Sequence, residues 1–174
     1  VASKGPMDLV RAAATVAPAL RRAHASVHIY GGDALRPAPL QRRMQGTIEH
    51  NSLGDIIFIH DWTDNVEEAV RSVHCIVRPD PTGSPWGRDI IEAMCMGRPV
   101  IAAGEEEVFI KPGKTGWLVR PGDIAHLAAT LSVLSRSGME LEKMGHNAFE
   151  FAQEHFDPEK NLLRMEKFIL GEEL

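Results

Sequence analysis

The stretch "SPWGRDIIEAM", residues 84–94, places a loop of proline and glycine directly before a helical pattern, and the apolar run "RPVIAA" (98–103) follows it. We expect the helix to begin near Gly87 to Asp89, because its apolar side follows at once with Ile90, Ile91, Ala93 and Met94. The unpaired N–H groups and positive dipole end of such a helix bind anions without any lysine. The stretch therefore predicts a phosphate site, although the same residues also fit a structural role in which Gly87 shapes the turn and Asp89 caps the helix.

Short apolar runs alternate with helical patterns along the whole sequence. The predicted strands are buried, β-branched runs at 26–30, 55–60, 74–79, 98–103 and 116–120. Helices are predicted over 6–20, 38–52, 64–72, 88–96 and 123–135, and a tail of two helices, 139–155 and 158–171, is divided at Pro158. Alternation without hairpin signals predicts an α/β fold, a doubly wound parallel sheet of Rossmann type that forms one domain over residues 1–174. We expect the helices of 139–171 to pack on this domain or on an N-terminal domain outside the sequence.

The composition limits the partners and chemistry that we expect. The 174 residues carry a formal net charge of −5, so nothing attracts nucleic acid or an anionic membrane globally. No apolar run approaches the ~20 residues of a membrane span, and no signal-peptide pattern opens the chain, so we expect a cytoplasmic protein that meets membranes only through segments outside this sequence. The eight histidines show no paired ligand spacing, so no metal site is expected. Cys75 and Cys95 lie in apolar segments and are predicted to be buried free thiols rather than a disulfide.

Several polar residues lie where ligands bind such a sheet, in loops after the strands. Arg88 could add a guanidinium to a phosphate, and Glu92, one turn into the helix and opposite Ile90, could accept both hydroxyls of a ribose. An exposed helix glutamate without a ligand is the commoner case. The run Glu105 to Glu107 would repel a nearby phosphate and is interpreted as solvated.

The order of the motifs resembles one family. The segment 72–134, with "IIEAM", "GRPVIA", "GKTGWLV" and "PGD" in sequence, is similar to the C-terminal domain of the group 1 glycosyl transferases, retaining enzymes of GT-B architecture that use sugar nucleotides. The likeness begins at "SKG" (3–5) and continues through "VHIYGGD" (27–33) and "IHDWTDNVEEAV" (59–70). It implies the C-terminal half of a GT-B enzyme, a nucleoside-diphosphate sugar as donor substrate and no further cofactor.

The resemblance assigns roles to individual positions. It implies that Lys4 and Glu92 are the catalytic residues, Glu92 by holding the nucleotide ribose and Lys4 by binding the donor diphosphate. The turn Pro85-Trp86-Gly87 stands where the family has a Gly-Phe-Gly turn at the substrate, and the backbone amides after its glycine, those of Arg88 and Asp89, would face the same diphosphate.

The resemblance also places two loops near the donor. Thr63, between Trp62 and Asp64, falls in a loop that lies near the nucleobase in the family, although Thr63 or Asp64 fits a helix cap equally well. Gly32 ends the first strand and, with Gly31, fits a simple turn as well as a substrate contact.

Ser84 departs from the family, which has a glutamate there that touches hydroxyls of the transferred sugar. A hydroxyl cannot supply the charge-assisted bond of a carboxylate. Either the donor sugar differs from the usual hexoses, or Asp80 or Asp89 takes over, or the domain has lost turnover; we favour a working enzyme, because the phosphate-binding parts are present. A sugar-nucleotide epimerase or phosphorylase of GT-B type and a catalytically degenerate binding module remain alternatives, whereas a dehydrogenase is disfavoured by the lack of GxGxxG.

Two features of the family have no counterpart in the sequence. These are an arginine a few residues before Lys4 and the first strand of the domain, which lies at the centre of the sheet. We expect that the polypeptide extends upstream of Val1 or that another segment fills the slot. We also expect an N-terminal domain to recognise the acceptor, whose nature is unknown, so that the chain alone binds nucleotide but transfers no sugar.

Overall fold

The computed structural model describes residues 4–171, which contain five strands and eight helices. The strands are β1 Val27–Gly32, β2 Ile57–Asp61, β3 Ile76–Arg78, β4 Val100–Ala103 and β5 Gly116–Val119. The helices are α1 Pro6–Thr15, α2 Ala17–Arg22, α3 Pro39–His50, α4 Val66–Arg71, α5 Arg88–Cys95, α6 Ile124–Leu134, α7 Gly138–His155 and α8 Pro158–Leu170. The predicted order of elements is confirmed, and the bounds are close to those predicted everywhere except in the first helix.

The helix predicted over 6–20 is wrong as a single element, because it breaks at Val16. Pro18 has no N–H with which to continue the α-helical ladder. The chain instead starts a new turn, in which the Val16 carbonyl accepts hydrogen bonds from the N–H groups of Ala19 and Leu20. The helical spacing in the sequence survives the break because both pieces bury the same side, through Val10, Ala13, Ala17 and Leu20.

All strand pairs are parallel, which confirms the α/β class, but the described residues form two sheets rather than one. β1 pairs with β2, and β3, β4 and β5 form the second sheet. Val27 and Ile29 of β1 and Val77 of β3 nevertheless pack on one shared hydrophobic cluster. Within residues 4–171 no strand joins β1 to β3, and the extra central strand expected from the sequence stays a prediction.

Helices cover the three-stranded sheet on both faces. On one face, Ile101 and Ala103 of β4 pack in the cluster that contains Leu9 of α1 and Leu131 of α6. On the other face, Val100 and Ala102 pack in the cluster of α5 and α7. The two-stranded sheet has α1 and α3 on one side only. This layering places the carboxyl ends of β3 and β4, and their loops, beside the N-terminus of α5.

Cys75 is partly buried, and burial raises the pKa of its thiol to about 12. The prediction that Cys95 is also buried is wrong, because Cys95 is exposed at the end of α5. Ile90, Ala93 and Met94 already occupy the core side of that helix, which leaves position 95 facing solvent. In the part of the chain described, no helix combines the length and apolarity that a bilayer crossing needs.

Candidate functional site

The loop between β3 and α5 is ordered by its own polar residues. Asp80 is 5% exposed, and one of its carboxylate oxygens accepts hydrogen bonds from the backbone N–H of Thr82 at 2.9 Å and from its hydroxyl at 2.7 Å. The loop then runs to Gly87, the N-cap of α5, which has no side chain to cap the helix. The first turn of α5 therefore presents backbone N–H groups without a side-chain cap, as an anion site requires.

The start of α1 lies directly against this loop. Gly5, the N-cap of α1, has a φ of 70°, and a Cβ at this position would lie 1.9 Å from the carbonyl oxygen of Pro79. Only glycine allows this approach. The contact brings Lys4 to α5, where its Nζ donates to Oδ2 of Asp89 at 2.9 Å.

Arg78, which the sequence analysis did not single out, is the second cation on Asp89. Its Nη1 donates to Oδ1 of Asp89 at 2.7 Å, and its Nη2 lies 3.4 Å from Oδ2 of Asp80. The side chain is only 13% exposed. A Cβ on Gly87 would lie 1.7 Å from Nη1, so the space that this glycine leaves open is occupied by Arg78. The signal for Arg78 in the sequence was an arginine that ends an otherwise apolar strand just before the loop richest in proline and glycine.

Both carboxylates of this cluster are held in the ionised form. Burial alone would raise the pKa of Asp89, but the hydrogen bond from Lys4 and the charges of Arg78 and Lys4 outweigh it and lower the pKa. Burial acts on Asp80 in the same direction and is outweighed by the hydrogen bonds from Thr82 and by Arg78, so the pKa of Asp80 is also lowered. Two cations and two carboxylates therefore balance at the start of α5.

Arg88 and Glu92 form an ion pair on the outer side of α5. Nε of Arg88 lies 3.2 Å from Oε1 of Glu92, and the two side chains are 90% and 36% exposed. A pair this exposed contributes little to stability. Both groups are thus accessible, Arg88 at the uncapped start of the helix and Glu92 one turn further on.

The loop after β4 supports the loop before α5. Pro85 lies against Gly104, where a Cβ would be 2.6 Å from the proline ring, and Ser84 next to it is half-buried. The indole N–H of Trp86 donates to Glu106 at 3.3 Å, and its ring meets the Phe109 ring edge-on at 4.4 Å. Residues 105–107 are exposed, but Glu106 is also a contact of the loop rather than only a solvated residue.

Lys4, Arg78, Asp80 and Asp89 form the α5 cluster at the start of that helix. Gly32 and Thr63 lie at the carboxyl ends of β1 and β2, and no hydrogen bond among residues 4–171 joins them to this cluster. Gly32 belongs to β1, and a Cβ there would be 2.9 Å from the carbonyl oxygen of His60. The alternative that Thr63 or Asp64 caps the next helix is wrong. Asn65 is the N-cap of α4, and it accepts from the N–H of Glu68 while its amide donates to that side chain. Because Asn65 and Glu68 hydrogen-bond to each other in both directions, Asn65 caps the helix in place of Thr63 or Asp64.

No three side chains of the metal-binding types converge anywhere within residues 4–171.

Comparisons with known proteins bear on this arrangement. A putative colanic acid biosynthesis glycosyltransferase, WcaL of Salmonella typhimurium, is 29% identical over 107 residues, which cover 56% of this chain and 26% of the relative. The chain thus spans about a quarter of the length of that relative.

Three solved structures illustrate the likeness of fold. Sucrose-phosphate synthase from Thermosynechococcus elongatus superposes with a TM-score of 0.79 at 26% identity, over 98% of this chain and 43% of that one. HepE of Anabaena, solved in complex with UDP, gives a TM-score of 0.84 at 20% identity, over 98% of this chain and 46% of HepE. The C-terminal domain of a group 1 glycosyl transferase from Francisella tularensis gives 0.77 at 18% identity, over 91% of this chain and 82% of that domain.

These likenesses establish a Rossmann-like GT-B fold. The model of the family described as glycosyl transferases group 1 matches residues 1–137, most of the chain. The chain therefore belongs to the group 1 glycosyl transferases.

Proposed function

We propose that this chain binds the nucleoside-diphosphate sugar of a retaining glycosyltransferase. The observation that carries the proposal is the uncapped start of α5 with Lys4 and Arg78 beside it, because two cations and free N–H groups converge on one place. Cleavage of the glycosyl C–O bond develops negative charge on the departing diphosphate, and fixed donors at that place stabilise it. The UDP complex of HepE, a protein of the same fold, supports a nucleotide as the ligand.

The individual roles follow the family resemblance. The backbone amides of Arg88 and Asp89 and the Lys4 ammonium would hold the diphosphate, and Glu92 would accept the ribose hydroxyls. The loop of Ser84 and Trp86 would lie at the sugar, with Thr63 towards the nucleobase, and Gly32 would be a further contact of the substrate. The transferred group would be a hexose or a related sugar, and an N-terminal GT-B domain would supply acceptor recognition.

Isothermal titration of the chain with UDP and GDP tests the proposal. We expect at least one of them to bind, with no sugar transfer by the chain alone when a nucleotide sugar is supplied. If no nucleoside diphosphate binds at millimolar concentration, the proposal is wrong.

The role of Glu92 has its own test in the substitution Glu92→Gln. Loss of charge-assisted bonds to the ribose should weaken the binding of the active nucleotide by about 1–3 kcal/mol. Glu150→Gln is the matched control, because Oε1 of Glu150 lies 3.2 Å from Nε2 of His146 at the same i,i+4 spacing on α7. Equal affinities for Glu92→Gln and the parent chain would remove Glu92 from the site.

A further inference from the structure

The Asp89 carboxylate occupies the position between the two cations of the site. One of its oxygens is 2.9 Å from Nζ of Lys4, and the other is 2.7 Å from Nη1 of Arg78. It also lies in the first turn of α5, where a negative charge interacts favourably with the positive end of the helix dipole. Asp89 therefore makes, from within the chain, the interactions that a phosphate group would make at the same place.

The two cations differ in their freedom to leave Asp89. Arg78 is 13% exposed, fills the space beside Gly87 and also contacts Asp80. Lys4 is 51% exposed, and Asp89 is its one hydrogen-bond acceptor among the described residues. A ligand can therefore take Lys4 from Asp89 at little cost in packing, whereas Arg78 keeps the carboxylate in place.

The charges make this competition unavoidable for an anionic ligand. With Asp80 and Asp89 ionised, the cluster of Lys4, Arg78, Asp80 and Asp89 is neutral before a ligand arrives. An incoming diphosphate meets a lysine that is already neutralised and a carboxylate that repels it.

We propose that Asp89 is an internal counter-anion for Lys4, which a nucleoside diphosphate must displace in order to bind, so that its side chain lowers the affinity of the site. This inference rests on the proposed function and goes beyond it, since that function uses only the backbone N–H of Asp89. Breaking the contact between Lys4 and Asp89 costs free energy. Only a ligand with a phosphate group can replace Asp89 on Lys4, so a ligand without one gains nothing from breaking the contact.

The test compares Asp89→Asn with the parent chain by isothermal titration, with UDP, GDP, inorganic pyrophosphate and uridine as probes at low salt. We expect the variant to bind the active nucleoside diphosphate and pyrophosphate at least about threefold more tightly and uridine unchanged. The melting temperature should fall at the same time, because the ion pairs with Lys4 and Arg78 are weakened. A merely structural residue would lower melting temperature and affinity together, so the opposite signs are the signature.

Two further variants complete the experiment. In a Lys4→Met background the gain from Asp89→Asn should become smaller, because only the repulsion between Asp89 and the diphosphate is then removed, and this difference measures the coupling between Lys4 and Asp89. Asp55→Asn is the matched control for net charge, because Asp55 is an exposed partner of Arg21 just before β2, away from the α5 cluster. Unchanged or weaker diphosphate binding by Asp89→Asn overturns the inference while the proposed function stands. Absence of binding to both the parent chain and the variant overturns both.

Discussion

The two sheets of this molecule differ in how completely they are covered. All four residues of β4 in the three-stranded sheet are buried, because α1 and α6 cover one face and α5 and α7 the other. β1 in the two-stranded sheet alternates between half-buried and exposed residues. The outer face of this sheet carries stacked rings from both strands, His28 and Tyr30 of β1 with Phe58 and His60 of β2. The better covered sheet is the one beside which Lys4, Arg78 and Asp89 meet. We infer that packing energy is concentrated where the site needs fixed geometry.

The largest expected effect on stability comes from making the same substitution, isoleucine to alanine, in each of the two sheets. Ile101 of β4 is fully buried, and Ile101→Ala should lower the free energy of unfolding by about 2–5 kcal/mol through lost transfer energy and a cavity. Ile59 of β2 is half-buried, and Ile59→Ala should cost only about 1–2 kcal/mol, because water can enter the space. Urea denaturation of both variants measures the difference. Equal losses would show that the two sheets are equally important for stability.

Two helix glycines, one in each half of the molecule, test the same comparison, because alanine should change the stability in opposite directions at the two positions. Gly145 of α7 lies on the three-stranded half, and a Cβ there would be 2.2 Å from the carbonyl oxygen of Gly97. Gly145→Ala should therefore destabilise by about 1–3 kcal/mol, as overpacking does. Gly46 of α3 faces open space, and Gly46→Ala should stabilise by about 0.5–1 kcal/mol because alanine loses less backbone entropy. Thermal denaturation of the two variants gives both signs, and stabilisation by Gly145→Ala would contradict the packing of α7 on the turn after α5.

Local sequence patterns were sufficient for the elements but not for their pairing. The apolar runs located all five strands, although the burial on both faces that such runs predict holds for β4 and not for β1, whose residues alternate between half-buried and exposed. The same runs could not show that β1 and β3 fail to pair, since hydrogen bonding between strands depends on residues far apart in the sequence. The break at Val16 was likewise hidden, because the helical spacing of buried residues continues across Pro18.

The candidate site was predictable in its backbone and not in its charges. The loop of Gly87 and the start of α5 were found from residues 84–94 alone, because a helix start after a turn is a local signal. The bridge of Lys4 and Arg78 through Asp89 depends on Gly5 approaching Pro79, which brings together parts of the chain some 85 positions apart. Asp89 was expected to act through its backbone amide, as a helix cap or in place of the missing glutamate, and only tertiary packing shows its carboxylate between two cations.

The smallest expected effect is a pH dependence that belongs to the two-stranded sheet. Nδ1 of His28 lies 2.8 Å from Nε2 of His60, and burial, followed by the charge of His60, lowers the pKa of His28. The unfolded state then binds more protons than the native state as the pH falls from about 6.5 through the native pKa, so stability contributed by neutral His28 is lost on acidification in that window. The change is small because the ring is largely exposed.

Substitution of this histidine tests the assignment. His28→Phe keeps a ring against Phe58 and removes the titrating group, so the free energy of unfolding of the variant should vary less between pH 5 and pH 7 than that of the parent chain. Denaturation midpoints at a series of pH values measure the two slopes. If they are equal, the proton uptake belongs to other groups and the exposed face of β1 and β2 is not what makes this half sensitive to pH. If the slope of the variant is flatter, the sensitivity arises from the face of β1 and β2 that no helix covers. A histidine pair buried beneath a helix, in the way that β4 is buried, would stay neutral over a far wider range of pH.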